Sequence, residues 1–522
     1  MNVIELSLFS SRIEAICEEM GAVLRRAAFS PNIKDRLDFS CAVFDAQGAL
    51  CAQAAHIPVH IGSMAFAMGE VINKIHWQAG DMVILNDPFM GGTHLPDVTI
   101  IAPLFHFEPL FHDDGACIVG FVVNRAHHAD IGSDTPGSMP ISSSLHEEGM
   151  VIPPTHLLRH NQVLAEVMES LTRRTLYAQQ TLGDFTAQIS ANRIGLQRLG
   201  ELVTTLGVEQ YRQGLLELNN YAERLAQTAL NTIPDGQYRF KDRMDDDGLG
   251  NTNLLLQACI NVRGHHIEVD FTGTAQQTPG NINCPLSVAA AGVYYVFRCL
   301  MPAYTPNCEG AFRSIRLFAP PGCLLNAQFP AAVAAGNVET STRVVDVVMG
   351  ALAEAIPDRI PAASHGTMNN LAMGARTRVH GHDRQWDYYE TMGGGMGAGP
   401  TNDGLSAVQT HMTNTLNTPL EVLETNYPLR VTQYRVRLGS GGHGKRKGGD
   451  GIVREFEFLE AATVTLLTER RRTRPWGLHG GEAGASGENL LNGQPLPGKK
   501  TLQVKAGDKL TVKTPGGGGW GV

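Results

Sequence analysis

The chain has 522 residues, too many for one ordinary core, so two or three domains are expected. An apolar content of 43% with 18% charged residues is that of a water-soluble globular protein. The net charge of −9 and the scatter of basic residues exclude an ordinary nucleic-acid binder, and no apolar run approaches a membrane span.

In chain order, residues 3–27 predict an amphipathic helix, with Ile4, Leu8, Ile13, Ile16, Met20, Val23 and Leu24 recurring near helical spacing. From about 38 to 130 short strands alternate with Gly/Pro-rich loops, interrupted by a helical segment near 63–74. Residues 39–44, 98–101 and 118–123 predict strands, the last two as short apolar runs rich in β-branched side chains. Residues 159–232 hold little Gly and no Pro, and Val167, Leu171, Leu176, Leu182, Phe185 and Ile189 predict long amphipathic helices reaching Leu230. Asp184, Gln188 and Asn192 follow one another four apart on one helical face, the pattern of an ordinary solvated polar stripe.

Ile233-Pro234-Asp235-Gly236 is a turn signal and a candidate boundary. Beyond it residues 254–256 and 266–271 are strand-like, and helices are expected around 288–300 and 341–356. Gly393-Gly394-Gly395 opens a flexible stretch that allows close backbone approach. After Leu429 the chain turns β-like, at 431–438, 453–458 and 463–467. The tail at 515–520 is too flexible to fold alone, and is either disordered or ordered by a neighbouring surface. The expected fold class is mixed α/β (α+β) and multidomain. It divides into an N-terminal α+β domain at 1–158, a helical segment at 159–235, a central α/β domain at 236–430 and a β-rich region at 431–522.

Nine cysteines, an odd number with no C-x-x-C pair, read as buried free thiols, Cys259 and Cys299 among them, in a reducing compartment. With no signal-peptide pattern at the N-terminus, the expected location is the cytoplasm. The string Gly493-Gln494-Pro495-Leu496-Pro497-Gly498-Lys499-Lys500 imitates a phosphate loop but has Lys where Ser or Thr must hold Mg, and reads as a turn between strands. Gly439-Ser440-Gly441-Gly442-His443 lacks a nucleophile elbow and reads as a turn. Glu469-Arg470-Arg471-Arg472-Thr473-Arg474 reads first as an interface or internal ion-pair cluster. His365 and His411 either line a pocket or are structural.

The chemistry concentrates in two clusters. Gly91-Gly92-Thr93-His94-Leu95-Pro96-Asp97 holds a His and an Asp three apart, and Asn124-Arg125-Ala126-His127-His128-Ala129-Asp130 holds two His and an Asp. Imidazole and carboxylate together suit Zn, Mn or Fe. Either cluster alone has an ordinary reading as a loop cap or a hydrogen-bonded core group. Two clusters beside adjacent predicted strands favour a shared metal site. Asp38, before the strand at 39–44, either projects into the same cleft or pairs with Lys34 or Arg36.

These strings resemble the hydantoinase B/oxoprolinase family. The likeness extends through Ile33-Lys34-Asp35-Arg36-Leu37-Asp38-Phe39-Ser40, His56-Ile57-Pro58-Val59-His60 and Asp270-Phe271-Thr272-Gly273-Thr274. It continues through Gly336-Asn337-Val338-Glu339-Thr340-Ser341, Gly366-Thr367-Met368-Asn369-Asn370, Tyr388-Tyr389-Glu390-Thr391, His411-Met412-Thr413-Asn414-Thr415 and Tyr427-Pro428-Leu429-Arg430. Carried over by motif, the resemblance implies Asp38, His94, Asp97 and a His of the Ala-His-His motif as metal ligands. That last is taken as His127, with His128 beside it as the alternative. Asp35 stands where Glu is usual, and the segment from 105 to 117 is longer than the common pattern.

The resemblance further implies the B subunit of an ATP-dependent cyclic amidohydrolase opening a hydantoin, lactam or oxoproline ring. A hydantoinase A-type partner would bind ATP and Mg and phosphorylate the carbonyl oxygen. A divalent metal (Zn or Mn, or Fe) on this chain would activate water for attack, with His128 or Asp130 relaying the proton. The assembly would be a hetero-oligomer. The alternatives are a subunit of an ATP-dependent ketone carboxylase, disfavoured by the modest chain length, and a non-catalytic structural subunit, disfavoured by intact metal donors.

Overall fold

The computed structural model describes residues 1–54, 56–107, 116–379 and 382–522. The middle of the segment at 105–117 therefore lies outside the described residues.

Helix α1 (Val3–Ala27) has the range its periodicity predicts. It opens on a capping box, in which the Asn2 side chain accepts the Glu5 amide while the Glu5 carboxylate accepts the Asn2 amide. Its buried face is Phe9, Ile13, Ile16, Cys17, Met20 and Leu24, whereas Ile4 and Leu8 stay exposed. A short α2 (Pro31–Lys34) follows. The first sheet comprises β1 (Phe39–Asp45), β2 (Leu50–Gln53), β3 (Met82–Leu85), β4 (Asp97–Phe107), β5 (Ala116–His127), β6 (Thr155–Arg159) and β7 (Gln162–Val163), in the spatial order β2-β1-β5-β4-β3-β6-β7. Every neighbouring pair in it is antiparallel. Both faces are covered, and the period-2 alternation shows how. Val98, Ile100, Val122 and Ala126 share a core with α1, while Ile101, Phe121 and Val123 pack with Met64, Met68 and Val71 of α3 (Ser63–Val71).

After α4 (Ala165–Thr172) come the long helices α5 (Ala178–Leu206) and α6 (Val208–Leu230). They share the core of the first sheet, so the segment expected at 159–235 covers one face of the preceding domain. Here one sequence reading needs correction. Asp184, Gln188 and Asn192 are not solvated; they lie on the buried face of α5. Asp184 accepts the Phe29 and Ser30 amides at 2.7 and 3.1 Å. The Gln188 amide donates to Val98 O and Asn124 Oδ1, and Asn192 donates to Ile100 O. A polar stripe is tolerated inside because its donors and acceptors are met.

The second sheet has β8 (Gly236–Asp246), β9 (Thr252–Arg263), β10 (His266–Asp270) and β11 (Ile315–Phe318) in the order β11-β10-β9-β8, with α7 (Leu286–Leu300) and α8 (Ser341–Ala355) in its core cluster. A π-helical turn, Gly336–Thr340, leads into α8. The remaining strands are β12 (Asn370–Val379), β13 (His382–Glu390), then after α9 (Leu420–Asn426) β14 (Leu429–Arg437), β15 (Gly451–Phe458), β16 (Ala462–Leu467), β17 (Glu488–Leu491), β18 (Gln494–Leu496), β19 (Lys499–Val504) and β20 (Lys509–Lys513). They form two sheets, β13-β12-β16-β19 and β14-β15-β20-β17-β18, around one core that includes Leu371, Tyr388, Phe456, Val464 and Leu510. Strands from both sides of residue 430 pair in the first of these sheets.

The glycine tail is ordered by its own chain. Gly517 donates to Gly449 O and accepts from the Gly442 amide, both at 2.9 Å, and Gly395 donates to Pro515 O at 3.0 Å. A Cβ on Gly395 would sit 1.9 Å from Gly449 O, so the segments approach backbone to backbone and only glycine fits. The decoy string turns at Asn492-Gly493 between β17 and β18. Arg470 faces inward and pairs with Asp242 and Asp346 at 2.7 and 2.6 Å, the internal ion-pair reading of that cluster. All nine cysteines are free, but Cys299 is exposed, because its position on α7 faces away from the second sheet's core. Among the described residues no helix is long and apolar enough to cross a membrane.

Candidate metal centre

The site begins with strand pairing. β5 lies between β1 and β4, and the register sets Asp97 directly across from His127 and Phe39 across from Ala126. Asp38, one residue before β1, accepts the His127 amide on its carbonyl at 3.0 Å. Three residues distant in sequence thus stand side by side at one end of three strands. His94 joins from the turn before β4, where its carbonyl accepts the Asp97 amide at 3.1 Å.

Asp97 Oδ1 is 3.1 Å from both His94 Nε2 and His127 Nδ1, and those two nitrogens are 3.2 Å apart. Asp38 Oδ2 is 4.0 Å from His127 Nδ1. Donor atoms about 2.1 Å from one ion would be separated by about 3.4 Å in a tetrahedron and about 3.0 Å at adjacent corners of an octahedron. His94, Asp97 and His127 match that spacing, and Asp38 stands farther out.

Its protonation makes the same point. His94 Nδ1 donates to Ala334 O at 3.2 Å, so Nε2 carries the lone pair. One proton on His127 Nδ1 can serve His94 or Asp97 but not both. The 3.1 Å approach of His94 Nε2 to Asp97 Oδ1 is then acceptor against acceptor in a dry site. Positive charge resolves it, as a second proton or as a divalent cation. Burial opposes a charged His94, yet the neighbouring Asp97 carboxylate raises its pKa above the ordinary value. Burial likewise opposes an ionised Asp97, but His94 and hydrogen bonds from His127 and His60 hold it well below the usual carboxylate range. Two imidazoles and two carboxylates fit Zn, Mn or Fe.

Outer contacts fix these donors. Asp97 Oδ2 accepts from Thr93 Oγ1 at 2.6 Å and Asn337 Nδ2 at 3.3 Å, and lies 3.4 Å from His60 Nε2. Glu148, whose carboxyl is pushed up to about 7 by burial, accepts the Val333 and Ala334 amides and so sets the loop that orients His94. The Tyr389 ring stacks on His127 at 5.1 Å and 11°. The Arg36 guanidinium lies 4.7 Å over Tyr389 and donates to Tyr389 O and Thr391 Oγ1. Beside the donors is a cavity of about 20 Å³, walled by Asp38, Asp97, His127, Asn337, Met368 and Tyr389 among others, room for about one water.

The structure brings together Asp38, His94, Asp97 and His127. Neither Lys34 nor Arg36 pairs with Asp38 among the described residues, and Arg36 is used on Tyr389 instead. His128 turns the other way, with Nε2 2.9 Å from Gln188 Oε1. The Asp130 carboxylate accepts the Gly132 and Leu176 amides at 2.7 and 2.6 Å. His411 packs on Tyr295, and burial pulls His365 down to about 3; neither joins the donor set. Sequence reasoning missed His60, Thr93 and Asn337. Thr93 is adjacent to His94, and His60 and Asn337 stand in strings that carry the family resemblance, which gave them no role.

The sequence profile of the hydantoinase B/oxoprolinase family matches residues 2–522. The chain belongs to this family. An uncharacterized protein of Methanocaldococcus jannaschii is 38% identical across 100% of this chain and 91% of its own length. The 5-oxoprolinase of Dictyostelium discoideum is 37% identical across the whole chain, which spans 40% of that enzyme. The putative B subunit of a D-/L-hydantoinase from a Pseudomonas species is 30% identical over 98% of this chain and 88% of its own. Among solved structures, the ATP-dependent caprolactamase of Pseudomonas jessenii aligns with a TM-score of 0.90 at 26% identity, covering 100% of this chain and 91% of that one. A nucleotide-free acetone carboxylase aligns with a TM-score of 0.86 at 18% identity, over 100% of this chain and 76% of that one, a likeness of fold.

Proposed function

We propose that this chain is the metal-bearing B subunit of an ATP-dependent hydrolase of cyclic amides, working with a separate ATP-binding A subunit in the cytoplasm. The observation that carries the reading is the convergence of His94 Nε2, Asp97 Oδ1 and His127 Nδ1 within the spacing of ligands to one ion. Family membership and relatives named as an oxoprolinase, the B subunit of a hydantoinase and a caprolactamase support the amide substrate and the partner. The chain itself carries no phosphate-loop motif, so ATP and Mg belong to the partner in this reading.

Asp38, His94, Asp97 and His127 would hold the ion. Bound there, a divalent cation lowers the pKa of water toward neutrality and polarises the nearby carbonyl. The chain's own groups do the rest. Thr93, His60 and Asn337 occupy Asp97 Oδ2 and leave Oδ1 toward the other donors. Ala334 fixes His94 with Nε2 unprotonated. Asp38 would complete the donor set at the cavity it lines, with 13% of its side chain exposed. A relay through His128 or Asp130 requires each to leave its present partner. Water adds to the carbon activated by phosphorylation, the ring C–N bond breaks as its nitrogen takes a proton, and a second water cleaves the resulting acyl phosphate to the ring-opened acid and phosphate.

The test is product analysis with both purified subunits, ATP and a panel of hydantoins, lactams and ketones. We expect turnover of a cyclic amide in bicarbonate-free buffer, with solvent oxygen in the new carboxylate, and no ring opening by this chain alone. Strict bicarbonate dependence with ketone substrates overturns the reading in favour of a carboxylase.

A further inference from the structure

The wall of the metal cavity opposite the strands is built by one buried side chain that touches neither the donors nor the cavity. Glu339 lies on the π-helical turn Gly336–Thr340 and is fully buried. Its Oε1 accepts the Met368 amide at 3.1 Å and Asn370 Nδ2 at 3.0 Å. Asn370 Oδ1 in turn accepts the Tyr389 hydroxyl at 2.5 Å, and the Tyr389 ring stacks on His127. Two residues before Glu339 on the same turn, Asn337 donates to Asp97. Met368, Tyr389, Asn337 and Val338 all line the cavity.

We propose that Glu339 is a positioning residue for the metal centre, orienting His127 through Asn370 and Tyr389 and Asp97 through Asn337. The inference rests on the metal reading of the site. Three separate features point to it. A π-turn is a costly local geometry that persists mainly where a site needs it. Hydrogen bonds run from the Glu339 carboxyl through Asn370 to Tyr389, whose ring stacks on His127, and Asn337, which donates to Asp97, stands on the same turn. Glu339 is fully buried, with its carboxyl held by the Met368 amide, the Asn370 side chain and the Thr367 hydroxyl, partners that fix its orientation. Burial also pushes the carboxyl up to about 8, against the opposing pull of the Thr367 hydroxyl and the Lys499 charge, so near neutral pH the group is the uncharged acid. In that form it has the shape and the acceptor of a glutamine amide.

The experiment measures Mn²⁺ and Zn²⁺ affinity of the chelator-stripped full chain by calorimetry, the visible spectrum of the Co²⁺-loaded chain, and the unfolding temperature of the metal-free form. Glu339→Gln should bind metal within about threefold of wild type. Glu339→Ala should bind about 10-fold more weakly, the low end of the effect of losing a group bonded directly to a ligand, with an altered Co²⁺ spectrum. Tyr389→Phe keeps the stacked ring but cuts its anchor, and should fall between the two; it decides the matter if Glu339→Ala does not fold. Wild-type affinity and spectrum in both Glu339→Ala and Tyr389→Phe overturn the inference. So does a Glu339→Gln variant as impaired as Glu339→Ala. A wild type that takes up no metal overturns instead the reading on which it rests.

Discussion

Gly395→Ala tests the glycine-packed region most directly. The new Cβ would stand 1.9 Å from Gly449 O and 2.3 Å from Gly517 N, against an ordinary contact of about 3.5 Å. Both clashing groups are backbone, so no side chain can swing aside. Relief by a shift of about 1.5 Å breaks hydrogen bonds of 2.8–3.0 Å that now join Gly395 to Pro515, His365 to Gly395, Gly517 to Gly449 and Gly449 to Met396. Three or four bonds at about 1 kcal/mol each, with about 1–3 kcal/mol for overpacking, give a loss on the order of 4–7 kcal/mol. That is a large share of the roughly 5–15 kcal/mol that holds a domain folded. Thermal unfolding should drop by about 10 °C or more at roughly 2–4 °C per kcal/mol, and amide exchange at Gly449 and Gly517 should quicken. Gly69→Ala is the control. Gly69 is exposed on α3 with no atom within 4 Å of the added Cβ, and helix preference favours Ala by about 1 kcal/mol. A Gly395→Ala protein melting within about 2 °C of wild type, or Gly69→Ala melting as low as Gly395→Ala, would refute the close-packing argument.

Three further outcomes are expected. His94→Ala or Asp97→Ala should remove most bound metal by elemental analysis while leaving the circular dichroism spectrum unchanged, since the hydrophobic cores lie elsewhere; metal-free wild type would contradict this. Gln188→Ala leaves Val98 O, Asn124 and His128 without their partner and should cost about 2–4 kcal/mol, whereas exposed Thr186→Ala should be nearly neutral; equal stability of the two would restore the solvated-stripe reading. Burial, with His411 nearby, holds His365 at about 3, and burial, with His60 nearby, holds His56 at about 4, both below the ordinary 6.5. The unfolded chain therefore binds more protons between those values, so their contribution is intact above pH 6.5 and is lost as pH falls toward 4 and 3, by up to about 1.4 kcal/mol per pH unit for each group. Denaturation midpoints from about pH 7 to 4 should show that slope, and His365→Gln should flatten it.

The sequence by itself determined what is local. The range of α1 follows from its capping and 3.6-residue period, and β4 and β5 follow from short β-branched runs. The sequence also offered the residues proposed here as donors: His94, Asp97 and the His127-His128 pair through their strings beside predicted strands, and Asp38 and the choice of His127 through the family resemblance. Three things depended on pairings between distant segments, which periodicity does not report. Asp184, Gln188 and Asn192 have the spacing of a surface stripe, yet the Phe29 and Ser30 amides meet Asp184, and Asn124 and the carbonyls of β4 meet Gln188 and Asn192. Strand β12 pairs across residue 430 with β16, because hydrogen-bonding edges find partners in space and not in chain order. Asn337 comes 240 residues after Asp97 and still holds its carboxylate. A period of 2 or 3.6 shows that a face will be buried and leaves open what it meets. The tertiary structure decided that, because the partner of each buried polar group is chosen by the non-local packing that excludes water from it.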